Sequence, residues 1–137
     1  TDGVASNNNL NLFEELQLAA LLHKGTRQDA VAVPAAQAVT LATRNGYRAL
    51  GFSRGGELAA GAPGDVVLVD LTGAHLEPVY QPLSALVYSA QAADVRTTIV
   101  AGQILMRDRV LTTLDEERIR HEVNDIAKTY RRSFHAA

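Results

Sequence analysis

The chain changes character near Ser53, and that change narrows the folds open to it. Before Ser53, apolar residues recur at helical spacing. After it come Gly55, Gly56, Gly61 and Gly64, and then Val66-Val67-Leu68-Val69, a β-branched run between Pro63-Gly64 and Asp70. A continuous apolar run bounded by turn residues predicts a buried strand. Residues 96–100 and 103–106 predict a hairpin around Ala101-Gly102. Residues 83–90 fit a strand or a helix equally well. Residues 56–112 are therefore mostly β, flanked by helical sequence on both sides, which makes the chain a mixed α/β protein.

The helical segments carry their own punctuation. Residues 1–11 are polar and read as a loop. Asn11 is placed to cap a helix, with Glu14 three residues on to complete a capping box. Leu12, Leu16, Ala19, Ala20 and His23 share one face of that helix, and Gly25 marks its end. A second helix starts at Pro34, a favoured first position, and runs to about Arg44, where Asn45-Gly46 stops it. Residues 47–50 add one further turn. The alanines at 35, 36, 38 and 42 point to close packing. A last helix is capped by Thr113 or Asp115, and carries Ile119, Val123, Ile126 and Tyr130 at helical spacing.

Composition excludes several classes of function. With 13 Lys+Arg against 15 Asp+Glu, the chain has no basic excess for nucleic acid or an anionic membrane. Without cysteine there is no disulfide, thiolate zinc site, iron–sulfur cluster or cysteine nucleophile. The longest apolar stretches, such as residues 18–22, are far below the roughly 20 residues of a membrane-spanning helix. No signal segment opens the chain, so a cytoplasmic location is expected. At 137 residues the chain supports one core, but a complete eight-stranded β/α barrel needs roughly 200 to 250.

Few residues announce chemistry. His23, His75, His121 and His135 form neither HxH nor HExxH, and each reads as a helix-surface or loop residue. Arg131-Arg132 reads as a solvated helix end. The serines lack a nucleophile elbow, and the glycines form neither a dinucleotide nor a phosphate-loop motif. Thr1-Asp2-Gly3, taken alone, is a flexible turn.

In combination the residues form a more specific pattern. Thr1-Asp2-Gly3-Val4-Ala5-Ser6-Asn7-Asn8 followed by Leu12-Phe13-Glu14-Glu15 resembles a TDGxxSNN…FEE segment of the amidohydrolase superfamily. The branch it resembles holds 5-methylthioadenosine/S-adenosylhomocysteine deaminases, guanine deaminase and triazine chlorohydrolases. Ala42-Thr43-Arg44-Asn45-Gly46 through Gly51, Gly64-Asp65-Val66-Val67-Leu68-Val69-Asp70, Pro78-Val79-Tyr80-Gln81-Pro82-Leu83-Ser84 and Asp94-Val95-Arg96-Thr97-Thr98-Ile99-Val100 resemble further family segments, in order. Five positions depart from that pattern. Asn9 and Asn11 stand where aspartates are common, Gln81 where Asp is usual, and Ala92 and Arg109 where glycines are usual.

The resemblance implies a fold and a chemistry. The fold is the C-terminal portion of a metal-dependent β/α barrel plus part of a β-sandwich and a C-terminal helix. Residues 1–55 would be the end of the barrel, with the metal-site loop and two helices, 56–112 the sandwich part and 113–137 the last helix. The chemistry is metal-assisted hydrolysis, most often deamination of a purine nucleoside or related N-heterocycle, or loss of chloride. The implied metal is divalent, typically zinc. Asp2 matches the family's metal-binding and catalytic aspartate, and Ser6 and Asn7 lie in the same loop, where they would touch substrate or cap the next helix. The other ligands are absent from this sequence, so the chain alone is expected to be inactive. It would need the N-terminal barrel portion or another chain, and a homo-oligomer is expected. The alternative is a non-catalytic α/β module or split-gene product that associates with a partner.

Overall fold

The computed structural model describes residues 1–135. The side chains of residues 132–135 lie outside what is described.

Helix α1 spans Leu12–Arg27. Asn11 caps it through Oδ1, which accepts the Phe13 N–H at 3.1 Å. The expected capping box does not close. The Asn11 N–H instead donates to Asn9 Oδ1 at 2.5 Å, and the Asn9 amide donates to the Glu14 carboxylate. Asparagine at 9 thus has a use that aspartate lacks, because a carboxylate has no proton to give Glu14. The helix also passes through Gly25, where it was expected to stop. It ends at Gln28, which adopts the left-handed conformation (φ 51°) and donates to the Gly25 carbonyl. The left-handed residue closes the helix, and here it is not a glycine.

Helix α2, Ala35–Ala42, takes Pro34 as its extended cap rather than as its first helical residue. It breaks at Thr43, and α3, Arg44–Ala49, begins at once. Asn45-Gly46 therefore lies within a helix and is not a stop. The break leaves room for Gly56 (φ 67°), whose backbone lies so close that an added Cβ would sit 2.4 Å from the Thr43 carbonyl carbon. That contact requires glycine on both steric and conformational grounds.

The ambiguous segment is helical: α4 spans Pro82–Tyr88. Its Val87 packs with Leu16 and Ala20 of α1 and Ala38 of α2, and these four form the core. Ala20 and Ala38 are both 0% exposed, so the alanines do mark close helix approach. Ala35 and Ala42 pack beside them, while Ala36 faces solvent. Although α4 falls within 56–112, it completes the core of the first two helices. Gln17 reinforces the contact by donating to the Tyr88 carbonyl at 2.9 Å.

The strands are β1 (Val66–Val69), β2 (Val95–Val100), β3 (Gln103–Arg107) and β4 (Val110–Leu111). They form one antiparallel sheet in the order β1-β2-β3-β4. The β2–β3 hairpin turns at Ala101 (φ 50°) and Gly102 (φ 77°), both left-handed, as a two-residue hairpin requires. Asp65 anchors that turn by accepting the Ala101 N–H at 2.6 Å. No strand residue is fully buried, and the second layer of a sandwich is not among the described residues. Helix α5, Glu116–His135, closes the chain, with Asp115 Oδ1 accepting the Arg118 N–H at 2.9 Å as its cap. Among the described residues no helix is long and apolar enough to cross a membrane.

Candidate functional site

The loop before α1 holds all three residues singled out in the sequence. Asp2 is exposed and left-handed (φ 56°), a conformation rare for residues other than glycine and asparagine. Its Oδ1 accepts the Gly3 N–H at 2.6 Å, which fixes the carboxylate against its own backbone. The Gly3 carbonyl in turn accepts the N–H groups of Ser6 and Asn7, each at 2.9 Å. Asn7 Nδ2 then closes the loop by donating to the Thr1 carbonyl at 2.9 Å. Asn7 is a loop-closing residue that holds the chain around Asp2. Ser6 contributes its backbone N–H, and its hydroxyl has no hydrogen-bond partner among the described residues.

Asp2 has the chemistry of one hard-oxygen metal ligand: one oxygen is tied to a backbone N–H and the side chain is open to solvent. It is a single ligand. Among the described residues, no three His, Cys, Asp or Glu side chains come together. The histidines sit elsewhere. His23 is exposed on α1, and His121 pairs with Asp125 at 3.2 Å on α5. His75 Nε2 lies 3.0 Å from Asp94 Oδ2.

The His75–Asp94 contact belongs to a polar junction that sequence reasoning missed. Partial burial works to raise the Asp94 carboxyl, but the Gln91 N–H, at 2.7 Å, and the His75 ring outweigh it and hold Asp94 below the usual carboxylate range. Nearby, the Thr72 hydroxyl and N–H lower Asp70, with Arg96 adding to them. Arg109 Nη1 donates to the Ala92 carbonyl at 3.0 Å and the Val95 carbonyl at 3.3 Å. This junction ties the end of β1 to the start of β2. No sequence signal marks it, because its members lie about 20 residues apart and join only through the sheet.

A second missed residue is Lys24. Its ammonium donates to the Ala20, Ala32 and Val33 carbonyls at 3.2, 2.8 and 2.8 Å, and lies 5.5 Å from the centre of the Tyr88 ring. It thereby holds the α1–α2 connection, including Val33 in a left-handed conformation (φ 45°) that β-branched residues rarely adopt.

The amidohydrolase family model matches residues 1–105. The chain belongs to the amidohydrolase family. A 5-methylthioadenosine/S-adenosylhomocysteine deaminase of Acetivibrio thermocellus is 51% identical over 129 residues, covering 93% of this chain and 30% of that protein. A 5'-deoxyadenosine deaminase of Methanosarcina mazei is 48% identical over 93% of this chain and 29% of its own length. Among solved structures, an adenosine deaminase from Xanthomonas campestris with bound zinc superposes with a TM-score of 0.89 at 35% identity, over 94% of this chain and 30% of that one. Atrazine chlorohydrolase from Arthrobacter aurescens TC1, complexed with zinc, gives 0.82 at 28% identity over 90% of this chain and 28% of its own. This amidohydrolase chain thus spans about 30% of the length of the curated relatives it matches.

Proposed function

We propose that this chain is the C-terminal portion of a metal-dependent hydrolytic deaminase whose substrate is an adenosine-type nucleoside. The observation that carries the reading is the Asp2 loop: a carboxylate pinned by its own backbone, exposed, and set in a chain of this family. Names of relatives that act on methylthioadenosine, S-adenosylhomocysteine and deoxyadenosine support the substrate class over a chlorinated triazine, since their identities are higher.

In that reaction an exocyclic amino group on the ring is exchanged for oxygen from water, and ammonia leaves. When bound, a divalent metal such as zinc supplies the activated water, lowering its pKa to about 7. Asp2 would be one of its ligands. The Gly3 N–H fixes the Asp2 carboxylate, which would offer one oxygen to the metal and keep the other to accept a proton from the attacking water. Asn7 positions this loop rather than reacting, and Ser6 offers the nearby free hydroxyl. Residues 1–55 form the barrel end, 56–112 the sandwich portion apart from α4, and 113–137 the terminal helix.

The remaining ligands and most of the substrate pocket come from the N-terminal barrel portion, on the same polypeptide or another chain. A groove on α1 and α2, lined by Leu12, Leu16, Ala19, Leu41 and Ala42, supports this need, because Leu12 is 50% exposed and Leu41 43%. The test is complementation. The 137-residue chain alone is expected to release no ammonia from 5'-methylthioadenosine, and to release it when mixed with the N-terminal portion of the Acetivibrio relative and zinc. Turnover by the Asp2→Asn assembly equal to that of the unaltered one overturns the assignment of Asp2.

A further inference from the structure

Helix α3 and the turn after it form a polar cleft of about 110 Å³, and every wall of it comes from residues 44–57. One short stretch of this chain therefore completes it, and it shares no residue with the Asp2 loop. Its charged walls are Arg44 and Arg48 of α3, and Arg54 and Glu57 of the segment that follows. Glu57 is taken by Arg44, at 2.7 Å. Arg54 gives one of its five N–H groups to the Ala60 carbonyl, also at 2.7 Å. Arg48 has no hydrogen-bond or ion-pair partner among the described residues. Like charges four apart on a helix repel, and Arg44 and Arg48 have no second carboxylate to offset them. The backbone adds a further donor. Gly55 lines the cleft and is buried, yet its N–H has no acceptor among the described residues. Buried N–H groups are almost always paired, so this one marks a place for an acceptor. A side chain at Gly55 would run into the Tyr47 ring, so bare backbone forms that wall. The Ser53 hydroxyl beside it is also without a partner among the described residues.

We propose that this cleft binds a phosphate group, either the free ion or the end of a small phosphomonoester. The groups on offer are guanidiniums, a hydroxyl and a backbone N–H, which together ask for an acceptor on several sides. A phosphate dianion meets that demand, and the planar fork of arginine matches its oxygens two at a time. Its two negative charges equal the excess of three guanidiniums over one carboxylate. A carboxylate, with two oxygens and one charge, leaves donors and charge unmet. The charge comes from arginines and not from a phosphate-loop motif, which these glycines do not form.

Calorimetric titration of the 137-residue chain with inorganic phosphate, and separately with ribose 5-phosphate, tests this at fixed ionic strength. Saturable one-to-one binding is expected, with a dissociation constant of about 1 mM for the tighter of the two. Which of them binds tighter names the source, free ion or monoester. Arg48→Gln should weaken binding about tenfold, with helical circular dichroism retained because Arg48 holds nothing else in place. Arg107→Gln, the same loss of charge at an exposed position on β3, should leave binding unchanged. Glu57→Gln should tighten it about fivefold by releasing Arg44, a gain that a merely structural role for the cleft does not produce. Titrations that do not saturate in the millimolar range overturn the proposal. So does equal weakening by Arg48→Gln and Arg107→Gln, which would reduce the effect to overall charge. Weaker binding by Glu57→Gln overturns it as well.

Discussion

The helical corner and the sheet are built to different standards. Where α1, α2 and α4 meet, Ala20 and Ala38 have no exposed surface and Val87 is 1% exposed. In the sheet, Val67 and Leu68 of β1 are 56% and 53% exposed, although their sequence reads as fully buried. The corner is held by packing, whereas the sheet is held by its hydrogen-bond ladders, by Asp65 at the hairpin and by the His75–Asp94 junction. A β-branched run records where a strand belongs in the finished protein. Whether its second face is covered depends on residues elsewhere.

Substitutions sharpen the contrast. Ala38→Leu should cost about 3 kcal/mol by overfilling the corner, read as a lower urea midpoint. Lys24→Met should cost about 2 kcal/mol, because it strips charged donors from the Ala32 and Val33 carbonyls; a loss below half that would reduce Lys24 to a surface cation. Gln81→Asp should add about 1 kcal/mol, because α4 has no side-chain cap at that position and aspartate supplies one. Protonation probes the junction beside the sheet. Asp94 is lowered in the folded chain, so its contribution is complete above the unfolded carboxyl value of about 3.9 and fades as pH falls through the lower folded value. Stability of Asp94→Asn should therefore fall less steeply over that acidic window than that of the parent. An equal slope would remove Asp94 from the junction's account. Val67→Thr should move stability by less than about 0.5 kcal/mol, since the side chain is half in water. A large loss there would show that β1 is covered in solution and the contrast is false.

Much of the fold was legible where one residue's chemistry settled the matter. Asn11 caps α1, Asp115 caps α5, and Ala101-Gly102 turns the hairpin. Local signals failed where tertiary contacts outweighed them. Gly25 and Asn45-Gly46 are helix breakers by propensity, yet both lie inside helices, since propensities of about 1 kcal/mol are overridden by packing and by the next capping residue. Residues 83–90 could not be assigned until Val87 had a core to enter. The candidate site was legible differently. Nothing in the periodicity marks Asp2, and only its place in a longer run of family residues singled it out. The structure adds that Asn7 and Gly3 hold its loop closed.

Arg109 carries a consequence for how such a chain changes over time. It occupies a left-handed position (φ 69°), where the family resemblance has glycine, and its guanidinium holds the carbonyl of Ala92, the other position where that resemblance has glycine. Alanine at 92 narrows the backbone freedom of the carbonyl that the arginine grips. The two departures are therefore not independent in their effects. Glycine restored at 109 alone relieves the backbone but removes the donor from two carbonyls, and glycine restored at 92 alone loosens what the arginine holds. The two positions therefore couple, and a double-mutant cycle of Ala92→Gly and Arg109→Gly reads the size of that coupling.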